Sequence, residues 1–183
     1  MNFGLTKMNP TALLKQHAAA EILKMNDLSS RFGLTLTHAQ AEEIVETNTL
    51  ALRNHGRIQL GKGVAGKLIA AFCDSKYLHM NNYAEYINEL LEIFYCLKTE
   101  AQDTYKVETH GTYKIYGIVT DDEIITGMRK AFETVCQGSI ELLAGREGLK
   151  IARSFLTDYE PDFNEDHNHE GGYQDDWAGE WEQ

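Results

Sequence analysis

The residues with the plainest chemical potential lie in GKGVAGKL, residues 61–68. Gly61, Gly63 and Gly66 fit G-x-G-x-x-G, and the same stretch with Lys67 fits the first seven positions of a P-loop, G-x-x-x-x-G-K. Such loops cradle phosphate because glycines let backbone amides converge on the anion. Lys adds charge, and a following Ser or Thr hydroxyl holds magnesium. Here Leu68 stands at the hydroxyl position, and only Ile58-Gln59-Leu60 is available as the preceding strand. A dinucleotide fold would need a second β unit ending in an acidic residue, and none follows. The stretch therefore reads as a connector. Gly56 ends one helix, and Gly61 and Gly63 turn the chain into the next. What it retains is a weak phosphate or nucleotide site at residues 61–67, with Lys62 and Lys67 beside a helix start.

A second chemistry would use Cys136. It stands three residues before Ser139, which can cap a helix, and a helix N-terminus can lower a nearby thiol pKa. A small hydrolase or transferase would also need a positioned histidine, and the spacing of His38, His55, His79 and His110 ranks none of them. Cysteine is commonly a small buried apolar residue, so an enzyme is the alternative reading and not the leading one.

Metal chemistry has two candidate settings. Glu43 with Glu46, and Glu89 with Glu92, form E-x-x-E pairs on helical patterns. A di-iron bundle also requires E-x-x-H, which the chain lacks, so these pairs read as solvated helix faces. In residues 166–177, Asp166, Asn168, Glu170 and Gly171 fall at positions one, three, five and six of a calcium loop. Trp177 takes the twelfth, where a bidentate Glu is needed. His167 and His169, with Asp166 or Glu170, could hold a transition metal weakly. No cofactor is expected.

These residues must be positioned by elements whose signals are clearer than the motifs. Pro10 suits the first turn of a helix that carries Leu13, Leu14, Ala18, Ile22 and Leu23 at helical spacing to about Asn26. A polar link, DLSSRFGLT, follows. Thr37 with Gln40 forms a capping box ahead of a helix running to about His55. LIAAFC reads as a short buried helix. Asn82 with Glu85 resembles a further cap, opening the longest helix, with Tyr83, Ile87, Leu90, Leu91, Phe94 and Leu97 on its apolar face. Glu85, Glu89, Glu92 and Lys98 make its polar face. Thr120 with Glu123, and Ser139, start two more helices, and the last helix carries Leu149, Ile151, Ala152 and Phe155. Within 104–117, the alternation of Tyr105 with Val107 and of Tyr113 with Ile115, around His110-Gly111, predicts a β-hairpin.

The chain has 183 residues and a net charge of −11, and that charge is unevenly placed. Residues 157–183 hold ten of the acidic residues and no Lys or Arg. The body is therefore close to neutral, which argues against a nucleic-acid partner. No apolar run is long enough to span a membrane. The first residues lack the basic start, apolar stretch and cleavage site of a signal peptide. Three widely spaced cysteines suit reduced thiols better than a disulfide framework, so the expected location is cytoplasmic.

Four stretches carry a resemblance: FGLTLTHAQAEEIVETN (32–48), HGRIQLG (55–61), NELLEIFYCLKTE (88–100) and CQGSIELLAGRE (136–147). Through them the chain resembles, from about Ala18 to Arg153, an uncharacterised family of Firmicutes proteins, a domain of unknown function. The resemblance implies a helical fold and brings no activity, cofactor or catalytic residue. It implies that the 104–117 hairpin is an insertion, and it leaves the acidic tail outside.

The expectation is a mainly α, compact multi-helix single domain over 1–157, with one small β-hairpin insertion. An acidic, Trp-containing C-terminal tail, 158–183, follows and is expected to be loosely ordered. The function reads as unknown. The leading expectation is a cytoplasmic adaptor or regulatory protein that binds a protein partner, with oligomeric state undetermined. Its contacts would be Tyr105, Tyr113 and Tyr116 of the hairpin and Trp177 and Trp181 of the tail, aromatic anchors among steering charges.

Overall fold

The computed structural model describes residues 10–54, 63–104, 106–109, 112–115 and 119–157. The protein is mainly helical. In chain order come α1 (Pro10–Leu23), α2 (Asn26–Ser29) with a 3-10 turn at Ser30–Phe32, α3 (His38–Asn54) and α4 (Gly63–Phe72). They are followed by α5 (Tyr83–Thr104), α6 (Asp121–Thr134), α7 (Ile140–Ala144) and α8 (Arg146–Thr157). Between α5 and α6, strands β1 (Lys106–Thr109) and β2 (Thr112–Ile115) pair antiparallel, with Lys106 opposite Ile115 and Thr109 opposite Thr112. Tyr105, His110, Gly111 and Tyr116, and the acidic segment 158–183, lie outside the described residues.

The helix starts follow their capping signals. Gln40 N–H donates to Thr37 Oγ1 at 3.3 Å while Thr37 N–H donates to Gln40 Oε1 at 2.9 Å. Thr120 and Glu123 repeat this reciprocal arrangement at the start of α6, at 3.3 and 2.6 Å. Leu142 N–H donates to Ser139 Oγ at 3.2 Å, closing the first turn of α7. Each such cap stabilises its helix by about 1 kcal/mol, because an amide left bare at a helix end loses a bond it had in water.

Asn82 behaves differently from a cap directed at Glu85. Its carboxamide oxygen accepts from His79 N–H at 2.8 Å, and its amide donates to Tyr77 C=O at 3.2 Å. It fastens the preceding turn, while its backbone carbonyl accepts the bond from Tyr86 N–H that starts α5. The stretch read as a polar link is also built, not loose. Asn26 pairs with the Leu36 backbone through both its amide (2.9 Å) and its oxygen (2.8 Å), and buried Ser29 donates to Leu34 C=O at 2.9 Å. These bonds hold the extended backbone so that Leu34 and Leu36 drop into the core. The polar residues there satisfy backbone groups, which is why composition alone reads as a loop.

The core gathers around α5, which packs against α3, α4, α6, α7 and α8. Its expected apolar face is buried throughout, and Ile93 and Tyr95 are buried as well, so the helix is enclosed on more than one side. Phe132 of α6 sits at a junction of rings, edge-on to Phe72, Tyr77 and Tyr86 at centroid distances of 5.6, 5.9 and 6.2 Å. Tyr77 lies against Gly138, where a Cβ would overlap its side chain, and the φ of +83° there is one that side-chain-bearing residues avoid.

α1 departs from the expected pattern. Ala19 and Ile22 are buried and Ala18 and Leu23 half-buried, but Leu13 and Leu14 are 45% and 72% exposed. Helical spacing identified the correct stripe. Only the second half of that stripe has α3 and α4 close enough to cover it.

Candidate functional site

The overhanging half of α1 forms one wall of an open cleft of about 670 Å³. Leu14, His17, Ala18, Glu21 and Ile22 line it from α1, at the i, i+3, i+4 spacing that puts them on one side of the helix. Val45, Asn48, Thr49, Leu52 and Arg53 face them from α3 at the same spacing, and Gly63 and Ala65 close one end. The floor is apolar, with Ile22, Val45 and Ala65 buried and Ala18 and Leu52 half-buried.

The polar groups divide by role. Asn48 Oδ1 accepts from Tyr95 O–H at 2.9 Å, and Thr49 O–H donates to Val45 C=O at 2.7 Å, so both serve the fold. Lys15 lies 3.5 Å from Glu46 in a pair whose side chains are half and two-thirds exposed, a pairing that water screens and a ligand can replace. Arg53, in the last turn of α3, and His17 make no ion pair among the described residues. The arrangement can take an apolar or aromatic group on its floor and negative charge at its rim. The sequence carried this signal in the two matched stripes on α1 and α3. It was missed because apolar residues at helical spacing read as core.

The sequence-derived candidates are scattered. Gly63 opens α4 with a φ of +73°, and Gly66 lies within the helix, where an added Cβ would stand 3.9 Å from Met25 Sδ. Lys67 lies 2.9 Å from Asp122 and 4.0 Å from Asp121, and Lys98 also reaches Asp121. The hydrogen bond to Asp122 leads in pushing the Lys67 pKa up. This ammonium ties α4 to the start of α6 and already faces two carboxylates. Gly61 and Lys62 lie outside the described residues.

Cys136 is buried, and burial pushes its thiol pKa up, opposite to the lowering that a reactive thiol beside a helix start would show. The physical reason is local. The helix it precedes, α7, has only five residues, and the side chain packs into the apolar core instead of facing the cap. His38 sits on an exposed turn of α3, 3.5 Å from Glu42, and His79 is exposed, while His55 and His110 lie outside the described residues.

Glu43 and Glu46 are exposed, as is Glu92. Glu89 is half-buried, and burial, followed by the charges of Glu85, Glu141 and Glu92, pushes its carboxyl pKa up. Among the described residues no three His, Cys, Asp or Glu side chains converge as a metal site. The remaining candidates, Asp166, His167, His169, Glu170, Tyr105, Tyr116, Trp177 and Trp181, lie outside the described residues, and Tyr113 is placed in β2 by its backbone.

Fold and cleft together define a mainly helical protein with an open surface groove between α1 and α3. No helix among the described residues is long and apolar enough to cross a membrane. A family model described as a family of unknown function, DUF6323, matches residues 21–161, and the chain belongs to that family. The match runs from the end of α1 through α8, so it takes in the α3 wall of the cleft but not Leu14, Lys15 or His17. No curated protein and no solved structure gives a significant match.

Proposed function

We propose that this protein is an adaptor or regulatory module that binds a segment of a protein partner in the cleft between α1 and α3. The observation that carries this reading is a groove with an apolar floor, over which Leu14 stands 72% exposed and beside which Arg53 makes no ion pair among the described residues. An amphipathic helix or extended segment with an aromatic anchor and acidic flanks complements it: the anchor drives binding, and charge sets register and on-rate. On this reading the protein is a compact cytoplasmic domain, the 104–117 hairpin is an insertion into the family fold, and the acidic tail is a separate appendage. The hairpin and tail aromatics then supply further contacts.

Peptide display on the full-length protein tests this. Selected peptides should be acidic and carry aromatic or large aliphatic anchors. Their affinity should fall about tenfold or more with Leu14→Glu or Arg53→Glu, the loss of about 1.4 kcal/mol expected for one buried anchor or rim charge. Both residues are exposed, so neither change threatens the fold. No enrichment, or peptides indifferent to both changes, sinks the proposal.

A further inference from the structure

We infer that Met80 is a modification site for hydroperoxides, at which oxidation to the sulfoxide tightens a clasp between the α2–α3 link and the α4–α5 turn. The site is separate from the α1–α3 cleft, whose lining does not include Met80.

Donors and acceptor are mismatched there. Met80 Sδ accepts from Thr35 N–H at 3.2 Å, and the Thr35 hydroxyl lies 3.8 Å from the same sulfur. An amide and a hydroxyl are full-strength donors, whereas a thioether sulfur is a weak acceptor. The donors are also fixed in place. Ser29 O–H donates to Leu34 C=O, the Asn26 side chain holds both backbone groups of Leu36, and the two leucines are buried. Thr35 stands exposed between them, with its N–H aimed at Met80. On the other side, Asn82 fastens the turn that carries Met80, through His79 N–H and Tyr77 C=O. Two well-held stretches, with 45 residues between Thr35 and Met80, therefore meet through one flexible side chain.

The sulfur is also within reach of an oxidant. Met80 is 49% exposed, whereas Met25 is half-buried and Met128 is fully buried. Attack of the sulfur on a hydroperoxide forms one S–O bond and breaks the O–O bond. The sulfur gives up two electrons to the peroxide. The proton on the transferred oxygen passes to the departing one, which leaves as an alcohol, or as water when the oxidant is hydrogen peroxide.

A methionine sulfoxide is polar, and its oxygen is a strong hydrogen-bond acceptor. Met80 has three rotatable side-chain bonds, so it can draw back and present that oxygen to the Thr35 amide and hydroxyl without moving either backbone. In a packed core the same product disrupts its surroundings. Here the side chain is half in water, and two donors already converge on the place the oxygen would take. Sulfoxide reductases return the thioether, so the change is reversible.

The test treats the full-length protein with dilute hydrogen peroxide, locates oxidation by peptide mass spectrometry, and follows exchange of the Thr35 amide by NMR. Met80 should gain oxygen about tenfold or more faster than Met128, because susceptibility follows exposure. The Thr35 amide should exchange about tenfold more slowly in the oxidised protein, the size of one full hydrogen bond gained. Methionine sulfoxide reductase should restore the starting rate. Met80→Leu keeps an apolar side chain at an exposed position, and in that variant peroxide should leave Thr35 exchange unchanged. Oxidation of Met80 no faster than of Met128, or Thr35 exchange that is unchanged or faster in the sulfoxide, overturns the inference. Slowing that persists in Met80→Leu overturns it too, since its cause then lies at another residue.

Discussion

Phe132 is a residue at which a single change should weaken the fold sharply. It is fully buried, and its ring meets Phe72 of α4, Tyr77 of the turn after α4, and Tyr86 of α5, all edge-on. Phe132→Ala deletes the ring from a site walled by three elements that cannot all close inward. It should therefore cost about 3–5 kcal/mol, the range for phenylalanine truncation in a packed core. Phe132→Leu keeps most of the apolar volume and loses the three ring contacts; at the low end of about 0.5–1.5 kcal/mol each, about 1.5–2 kcal/mol is expected. Set against a typical stability of about 5–15 kcal/mol, the alanine change is severe and the leucine change tolerable. Urea denaturation followed by circular dichroism measures both, as a fall in midpoint at unchanged slope. Thermal midpoints should fall by about 2–4 °C per kcal/mol. An alanine variant costing less than about 1.5 kcal/mol would refute the view of Phe132 as a junction. A leucine variant costing as much as alanine would refute the worth assigned to edge-on ring packing.

The other expectations concern residues with sequence-level motifs. Gly63→Val forces a branched side chain into a left-handed φ of +73° and should cost about 2 kcal/mol in thermal melts. Lys67→Ala removes an exposed ion pair to Asp122, whose side chain is 77% exposed, and should cost less than about 1 kcal/mol. Phosphate binding by calorimetry that disappears in Lys67→Ala would restore the anion site. Glu89 has a folded pKa above its ordinary 4.5, chiefly from burial, so the folded protein holds that proton more tightly than the unfolded chain. Its contribution is most favourable at low pH and is lost as pH rises through the raised pKa. Glu89→Gln should thus be more stable than wild type at neutral pH, with the gain vanishing as pH falls toward 4.5. A gain that grows on acidification contradicts the assignment. Native Cys136, buried and with its pKa pushed up, should react with a disulfide reagent far more slowly than in urea; reaction at a free-thiol rate would revive the enzyme reading.

Much of the architecture was legible before any tertiary structure. Local signals act over three or four residues, and the Thr37–Gln40 and Thr120–Glu123 boxes and the Ser139 cap are satisfied within their own turns. The apolar face of α5 was legible too, because helical spacing alone puts Ile87, Leu90, Leu91 and Phe94 on one side. Asn82 misled, since an Asn side chain can cap a helix or clasp another stretch of backbone. Which it does depends on where the chain returns: Asn26 meets Leu36 ten residues on, while Asn82 reaches back to Tyr77.

By itself, then, the sequence determined a mainly helical protein, its helix starts, the stripe that each helix offers to neighbours, and the near-neutral body beside an acidic segment. These follow from chemistry between residues close in the chain. Tertiary structure alone decided which stripes were covered. Nothing in α1 distinguishes Leu14 from Ile22 as an apolar residue. Ile22 is buried because α3 and α4 lie against it, and Leu14 stands over an open cleft because no described element does. The same holds for the charged candidates. Lys67 became a strut once α6 brought Asp121 and Asp122 to it, and Cys136 became core once the turn before α7 pointed it inward. Periodicity states what a side chain can bury, and only packing states whether a partner arrives to bury it.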